Sequence, residues 1–249
     1  MTTTATRSAS EVAAHVAATI DDIFATIDGW RALVEEQWTR DAAPSAASLD
    51  PLVARFAVPA VGGRTLLTGA GFVAAPGTLA DAEWHLAWWL AGVAGAAPRR
   101  LATIDDPRHE QFRDYTTLEW WRIPALTGAR HLTGPYVDYV CTDDYTVTIT
   151  TPVVVDGEMV GLVGADALVD RLERELLPVL RGGRAPATLV NSSGRVVTST
   201  DARREPGSLL RGDGIPEAVR AVDAAPVILP GGGSVLACGD TSLALVIGA

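Results

Sequence analysis

The stretch that decides the fold is residues 146–172, TVTITTPVVVDGEMVGLVGADALVDRL. Two apolar runs, 146–155 and 159–165, flank Asp156-Gly157, and an Asp-Gly pair between such runs is a strong signal for a β-hairpin. A single carboxylate, Asp166, follows the second run. Since burying an isolated carboxylate is costly, Asp166 is expected to find a partner, either a ligand or the free N–H groups of the helix predicted to follow it.

Residues 8–40 are predicted to form a long helix. Ser8 and Glu11 have the capping-box spacing, in which two side chains satisfy free backbone N–H groups at the start of a helix. Six apolar residues then recur at alternating steps of four and three, the spacing of a coiled-coil seam. They are Val16, Ile20, Ile23, Ile27, Trp30 and Val34. This stripe can lie on the body of the domain or pair with the same helix of a second copy, and both remain open.

The rest of the chain alternates between strand and helix signals. Residues 41–62 are rich in Ala, Ser and Pro and indicate a connection. Strands are predicted at 64–75, 101–104, 187–200 and 234–248, the last two as hairpins, and helices at 82–92, 167–180 and 215–223. Residues 107–126 combine a helical start with the tryptophan pair, and Pro124 is predicted to close this segment, while Asp81 is predicted to cap the helix over 82–92. On the first of these helices Trp84 and Trp88 would share a face, which favours core or interface packing over ligand contact.

Composition restricts the possible functions. The chain has 249 residues, a net charge of −10 and no lysine. A negative charge disfavours nucleic-acid binding, which needs a basic surface, and mildly favours cationic small molecules. The absence of lysine excludes chemistry through a Schiff-base lysine or a P-loop lysine.

The cysteines, the histidines and the N-terminus indicate a soluble protein without a metal or cofactor. Cys141 and Cys238 lack the spacing of a zinc site or a disulfide framework and are expected to fill strand positions. The four histidines show no metal-binding spacing. The first ten residues, MTTTATRSAS, carry no apolar signal segment, and no run approaches the length of a membrane helix. A soluble, cytoplasmic protein is therefore expected.

Three local patterns, taken in order, resemble the double Cache sensor domain, a pair of PAS-like modules behind a long N-terminal helix. The first is Trp120-Trp121 followed by GPYVD at 134–138, and the third is LVNSSGRVVTST at 189–200. The second, and the most specific, is the stretch 146–172. The resemblance implies an α+β fold with a long N-terminal helix followed by PAS-like antiparallel sheet modules, the second of them short.

The resemblance also implies a domain organisation and a role. Residues 1–48 would form the N-terminal helix, 49–180 a ligand-binding PAS-like Cache module, and 181–249 a second, small PAS-like module. The family's role implies a non-catalytic sensor that binds a small molecule in the first module. The signal would pass to a separate transcriptional regulator or signalling protein, with no membrane involved and with a homodimer formed through helix 8–40.

The family's pocket pattern is a Tyr, an Arg, a Trp-Tyr pair, a Tyr-x-Asp and a final Asp at the end of a strand. By this resemblance the ligand-binding residues are Trp120, Trp121, Tyr136, Asp138 and Asp166, with Trp121 in the place of the usual Tyr. The competing interpretations are core packing for the tryptophans and a turn cap for Asp138. Because neighbouring residues on a strand point to opposite faces, at most one tryptophan is expected in the pocket.

One position departs from the family pattern. Leu118 stands two residues before Trp120, where the family has a carboxylate-binding arginine, unless Arg113 or Arg122 replaces it. The remaining groups suit a cation, because carboxylates accept charge-assisted hydrogen bonds from ammonium and an indole face attracts a cation by about 0.5–2 kcal/mol. The expected ligand is therefore a cationic amine, with an amino acid as the close second.

Two other classes of function stay open. A hydrolase using an Asp–His pair is supported only by the presence of those residue types, and the chain has no nucleophile elbow. A purely structural dimerisation module without a ligand would use the heptad stripe as its interface, with Trp120 and Trp121 filling the pocket. The first alternative predicts turnover, whereas the second predicts no response to any small molecule.

Overall fold

The computed structural model describes residues 6–41, 43–63, 65–138 and 144–248, apart from the side chain of Ala94. The helices found there are α1 (Ala9–Arg40), α2 (Ala46–Val61), α3 (Glu119–Thr127), α4 (Val169–Arg181) and α5 (Ile215–Ala221). The strands are β1 (Leu67–Ala74), β2 (Leu86–Leu90), β3 (Arg99–Arg100), β4 (His131–Val137), β5 (Tyr145–Val155), β6 (Glu158–Leu168), β7 (Ala187–Asn191), β8 (Val196–Ser199), β9 (Val227–Ile228), β10 (Ser234–Ala237) and β11 (Leu243–Ile247). Two short 3-10 turns lie at Val93–Gly95 and Tyr115–Thr117.

The strands form two sheets, which confirms the predicted α+β architecture. The first sheet has the order β3-β2-β1-β6-β5-β4 and the second has the order β8-β7-β11-β10-β9. In the first sheet β1 is antiparallel to both β2 and β6, so that Gly71 is opposite Trp88 on one side and Gly164 on the other. A long N-terminal helix followed by two antiparallel sheets, the second in a short C-terminal region, is the predicted fold class.

The chain forms two compact units. One comprises residues 23–133 and 148–167, and the other comprises the described parts of 1–22, 134–147 and 168–249. In the second unit the core lies between α5 and strands of the second sheet, and it includes Val190, Val196, Ile215, Val219, Val235 and Val246. The domain boundaries predicted from the sequence, at residues 48 and 180, stay a prediction.

Helix α1 begins with the predicted capping box. The backbone N–H of Glu11 donates to Ser8 Oγ (3.2 Å), and the backbone N–H of Ser8 donates to the Glu11 carboxylate (2.6 Å). These bonds from Ser8 lower the pKa of Glu11. The six stripe residues are each at most 7% exposed within the single chain, and Trp30 stacks on Phe56 with ring centroids 5.1 Å apart. The stripe therefore lies on the body of the protein, and its interpretation as a seam between two copies is wrong. A homodimer through this helix stays a prediction that would have to use the exposed face.

Residues 41–62 are not a connection, because α2 occupies most of them. The backbone N–H of Ser48 donates to Ser45 Oγ and the backbone N–H of Ser45 donates to Ser48 Oγ, each at 3.1 Å, so the helix starts with a capping box of two serines. Its buried residues recur at helical spacing: Leu49, Val53, Phe56, Ala57 and Val61. Pro51 and Pro59 lie inside the helix. The many small residues and the two prolines indicated a connection, although the apolar residues between them recur at helical spacing.

The helix predicted over 82–92 is wrong, because Leu86–Leu90 forms strand β2. Four of its five residues are buried, so the strand is covered on both faces and its sequence is continuously apolar rather than alternating. Asp81 does cap a helix, although not the predicted one: its carboxylate accepts from the backbone N–H groups of Ala46 (2.7 Å) and Ala47 (3.3 Å) in α2. The bond from Ala46 is the main reason why the pKa of Asp81 is lowered.

Most of the remaining predicted elements are present, and two of them begin at other residues than predicted. The hairpin at Asp156-Gly157 is confirmed, with positive φ at both residues as a type I′ turn requires. The helices at 167–180 and 215–223 and the hairpins at 187–200 and 234–248 are confirmed as well. The strand predicted at 101–104 lies instead at Arg99–Arg100. The helical start predicted at 107 lies instead at Glu119, and Pro124 is inside this helix, whose C-cap is Gly128.

Cys238 is a free, buried cysteine, and burial raises the pKa of its thiol to about 12. The prediction for Cys141 falls outside the described residues. Among the helices of the described ranges, none combines the length and the apolar character needed to cross a bilayer.

Candidate functional site

Asp166 is a buried carboxylate held within the first sheet. It lies in β6, between β1 and β5, and is only 4% exposed. Its Oδ2 accepts from the indole Nε1–H of Trp88 (3.1 Å) and its Oδ1 accepts from the hydroxyl of Thr148 (2.7 Å). The residue at the N-cap of α4 is Leu168, so the alternative role of Asp166 as a helix cap is wrong.

Three glycines make room beside this carboxylate, and we call them the glycine trough: Gly69, Gly71 and Gly164. A Cβ on Gly69 would overlap Asp166 Oδ2 and would lie 2.7 Å from Trp88 Nε1. A Cβ on Gly71 would lie 2.9 Å from Trp88 Cε3, and one on Gly164 would lie 3.4 Å from Trp88 Cη2. The indole therefore fills the trough, and the side-chain-free strands are what allow it to lie against the sheet.

The local sequence explains this arrangement. Residues two apart on a strand share a face, so Gly69 and Gly71 line the same side of β1. The antiparallel register places Gly69 opposite Asp166 and Gly71 opposite Gly164. On the other side of β1, Gly71 is opposite Trp88. The trough is thus built from two neighbouring strands, β1 and β6, and the indole that fills it comes from a third, β2.

An aromatic cluster includes the two tryptophans predicted for the site. Trp120 and Trp121 lie in the first turn of α3, and Tyr115 contacts both, with ring centroids 6.3 and 5.2 Å apart. The hydroxyl of Tyr115 donates to the backbone oxygen of Ala74 (2.7 Å), and burial raises the pKa of Tyr115 to about 12. Thr150 of β5 donates to the backbone oxygen of Trp120 (3.0 Å), which ties α3 to the sheet. Because Trp120 and Trp121 lie in a helix, the expectation that they point to opposite faces of a strand is wrong.

Residues 102–174 match the sequence model of a family described as "Methyl-accepting chemotaxis protein-like, first PDC sensor domain". The fold is similar over nearly the whole chain to a solved structure named Methyl-accepting Chemotaxis protein X, with a TM-score of 0.67, 16% identity, and coverage of 96% of this chain and 93% of the other. The chain has the fold of a double Cache sensor domain. A comparison with curated proteins by sequence gives no match.

Two further structures with this Cache fold were solved with ligands. One is the ligand-binding domain of the Pseudomonas aeruginosa PAO1 amino acid chemoreceptor PctC in complex with GABA, with a TM-score of 0.54, 14% identity, and coverage of 96% and 95%. The other is the sensory domain of the Campylobacter jejuni chemoreceptor Tlp3 with isoleucine bound, with a TM-score of 0.55, 12% identity, and coverage of 95% and 89%. At these identities the likeness establishes the fold alone.

The other predicted site residues, Tyr136 and Asp138, belong to a different compact unit from Asp166. Tyr136 lies in β4 and is half-buried, whereas Asp138 is 5% exposed and its backbone N–H donates to the backbone oxygen of Asp144 (3.1 Å). Both belong to the unit that contains residues 134–147, while Asp166, Trp120 and Trp121 belong to the other. Their participation in one ligand site with Asp166 stays a prediction.

The arginine that Leu118 replaces in the Cache pattern has two candidate substitutes nearby. Leu118 is 38% exposed at the N-cap of α3. Arg113 is exposed and donates to the backbone oxygen of Phe112 (3.0 Å), and Arg122 is exposed on α3. Neither has the burial of the Asp166 carboxylate. Within the described part of the chain, no group of three or more His, Cys, Asp or Glu side chains could hold a metal ion.

Trp88 and Thr148 were not predicted from the sequence as partners of Asp166. Trp88 had been placed on a helix, and it is 78 residues from Asp166 in the chain. The available signal was the Gly69-x-Gly71 spacing, because glycine inside an apolar strand marks the close approach of another group.

Helix α3 is also held by a hydrogen bond between His131 and Glu119 whose contribution to stability depends on pH through Glu119. His131 Nε2 lies 3.1 Å from Glu119 Oε1, and this hydrogen bond is the main reason why the pKa of Glu119 is lowered. A lowered folded-state pKa contributes stability above the unfolded value of 4.5, and this stability is lost as the pH falls through the folded value.

We expect Glu119→Gln to reduce the free energy of unfolding at pH 6 by at most about 1 kcal/mol, because Glu119 is half exposed. The difference from wild type should shrink between pH 4.5 and pH 3, as urea unfolding at each pH would measure. In a His131→Gln background the same substitution should have little effect at either pH. An equal effect in both backgrounds would show that the pair is not the cause.

Proposed function

We propose that this chain is a non-catalytic sensor domain that binds a small cationic amine, or an amino acid through its ammonium group, in the first Cache module. The observation that carries the proposal is the Asp166 carboxylate, which is 4% exposed and lies at the end of the glycine trough that Trp88 fills. Its hydrogen bonds from the indole of Trp88 and the hydroxyl of Thr148 orient the carboxylate within the sheet. An oriented buried carboxylate is a strong acceptor for an ammonium group.

Two further observations support this class of ligand. GABA and isoleucine, which occupy two structures of the same fold, both carry an ammonium group. Leu118, in the position of the family's carboxylate-binding arginine, removes a partner for the other end of an amino acid. The net charge of −10 also favours the approach of a cation. Leu118 and the negative net charge favour an amine over an amino acid, and we propose Trp120, Trp121, Tyr136 and Asp138 as further contacts of the ligand.

Ligand binding would shift the conformation of the sensor, and a separate protein would recognise the ligand-bound conformation. A ligand can shift a conformational equilibrium only by its differential affinity for the two states. We place the protein in the cytoplasm, with a transcriptional regulator or another signalling protein as its partner and a homodimer through the exposed face of α1. Co-purification of the partner with the amine-loaded protein, but not with the free protein, would test this part.

A structural module without a ligand is the second candidate. The contacts of Tyr115 with both tryptophans favour it, because an aromatic cluster of this kind can serve as a packed core. This candidate predicts that no small molecule changes the stability of the protein. A hydrolase has no comparable observation in its favour.

A thermal-unfolding screen separates these candidates. The panel contains methylamine, putrescine, choline, glycine, GABA and isoleucine, each with the alcohol or carboxylic acid of matched size that lacks the amino group. We expect at least one amine to raise the melting temperature, since a ligand at 100 times its Kd stabilises by about 2.7 kcal/mol. The matched neutral compounds should have no effect. If no amine produces a shift, or if the neutral compounds produce the same one, the proposal fails.

A further inference from the structure

The position of Trp88 defines what the site can accept. Three separate corners of its indole, Nε1, Cε3 and Cη2, each face one glycine of the trough. The ring therefore lies flat along the sheet and occupies the space beside Asp166, and its Nε1–H holds one carboxylate oxygen at 3.1 Å. Trp88 is itself only 5% exposed.

We propose that Trp88 is the specificity-determining residue of the amine site, and that it restricts the ligand to small amines by filling the glycine trough. The inference rests on the proposed function, since it concerns the ligand of the same carboxylate. With the indole in place, the sheet offers no room along the trough for a ring or a long chain on the ligand. Without it, the trough would be open and directly beside Asp166.

The geometry also predicts which ligand the emptied trough would take. The space matches an indole, and one edge of that space lies at hydrogen-bonding distance from a carboxylate. An arylethylamine such as tryptamine places an aromatic ring and an ammonium group in one small molecule. In Trp88→Ala its ring would refill the trough while its ammonium group reaches Asp166. Wild type should exclude it, because the natural side chain already occupies that position.

The experiment uses the full chain and isothermal titration with methylamine, tryptamine and indole. Wild type should bind methylamine and not tryptamine. Trp88→Ala should bind tryptamine at least about tenfold more tightly than wild type does, and more tightly than it binds indole. In Trp88→Ala with Asp166→Asn the preference for tryptamine over indole should disappear, because the charge that selects the ammonium group is gone.

Trp89→Ala is the matched control. Trp89 is the next residue of β2, so its side chain is on the opposite face of the sheet, where Arg100 lies 5.6 Å from its ring. The same truncation there should lower stability and leave the size range of the ligands unchanged. A gain of tryptamine binding in this variant would overturn the inference, since it would show that general loosening admits the larger ligand.

Trp88→Phe provides a second test of the same inference if the alanine variant does not fold. A benzene ring fills less of the trough than an indole and removes the Nε1–H beside Asp166, so isopropylamine should gain affinity relative to methylamine. An unchanged order of the two amines would overturn the inference.

The outcomes distinguish this inference from the proposed function. If wild type binds methylamine and Trp88→Ala still excludes tryptamine, the proposed function holds and the role of Trp88 is wrong. If wild type binds no amine while Trp88→Ala binds tryptamine only when Asp166 is present, the proposed function is wrong and the trough assignment holds. Equal binding of indole and tryptamine by Trp88→Ala would place the ammonium group away from Asp166 and overturn the inference.

Discussion

Asp166→Asn should weaken amine binding by about 10- to 100-fold, because a hydrogen bond to a charged group contributes about 1.5–3 kcal/mol. The substitution removes the charge and preserves the shape of the side chain. The amide oxygen can still accept from Trp88, and the amide NH₂ can donate to the hydroxyl of Thr148, which is able to reverse its role. The fold should therefore survive, and the loss should be specific to the ligand.

Asp170→Asn is the control for this prediction. Asp170 lies four residues further along, in α4, where its carboxylate is 68% exposed and pairs with Arg174 at 3.0 Å. The same change of charge at this position should leave the Kd of the amine within about twofold of wild type, since exposed pairs contribute little. Titration calorimetry of both variants measures the effect. If both weaken the ligand equally, net charge is responsible and Asp166 is not the anchor.

The parts of the fold that could be predicted from the sequence are those with a local cause. The Asp156-Gly157 turn and the Ser8 capping box depend on residues within a few positions of each other, and both are present. Strand β2 was wrongly predicted as a helix, because a short apolar run that is buried on both faces has no periodicity that distinguishes it from a buried helix. The spacing of Trp84 and Trp88 by four residues fits a helix, and only the pairing of β2 with β1 and β3 decides the matter.

In the candidate site, too, the features with a local cause could be predicted and those that depend on strand pairing could not. The position of Asp166 after an apolar run was sufficient to select it as a buried carboxylate in need of partners. Its partners could not be selected, because Trp88 reaches it across β1 and depends on the strand order β2-β1-β6. The Cache pattern selects Trp120 and Trp121, which lie in helix α3, whereas the indole that contacts the carboxylate is Trp88 of strand β2.

Gly71→Ala should strongly destabilise the first sheet. Gly71 lies in the interior of β1 and is not among the glycines with positive φ, so the effect is purely steric. The added Cβ would overlap the backbone oxygen of Ala87 and would lie 2.8 Å from the Cα of Trp88. These atoms belong to the backbone of β2 and cannot rotate away as a side chain could. Relief requires β1 and β2 to separate.

We expect the loss of stability in Gly71→Ala to exceed about 3 kcal/mol, at the upper end of the cost of overpacking. Gly29→Ala is the control, because nothing apart from its chain neighbours and the adjacent backbone of α1 lies within 4 Å of the added Cβ. That variant should gain about 0.5–1 kcal/mol, since alanine is the better helix former. Urea unfolding of the two variants should move the midpoint in opposite directions. A Gly71→Ala midpoint equal to that of wild type would mean that β1 and β2 are further apart than the trough requires, and the indole of Trp88 would then have no reason to lie flat beside Asp166.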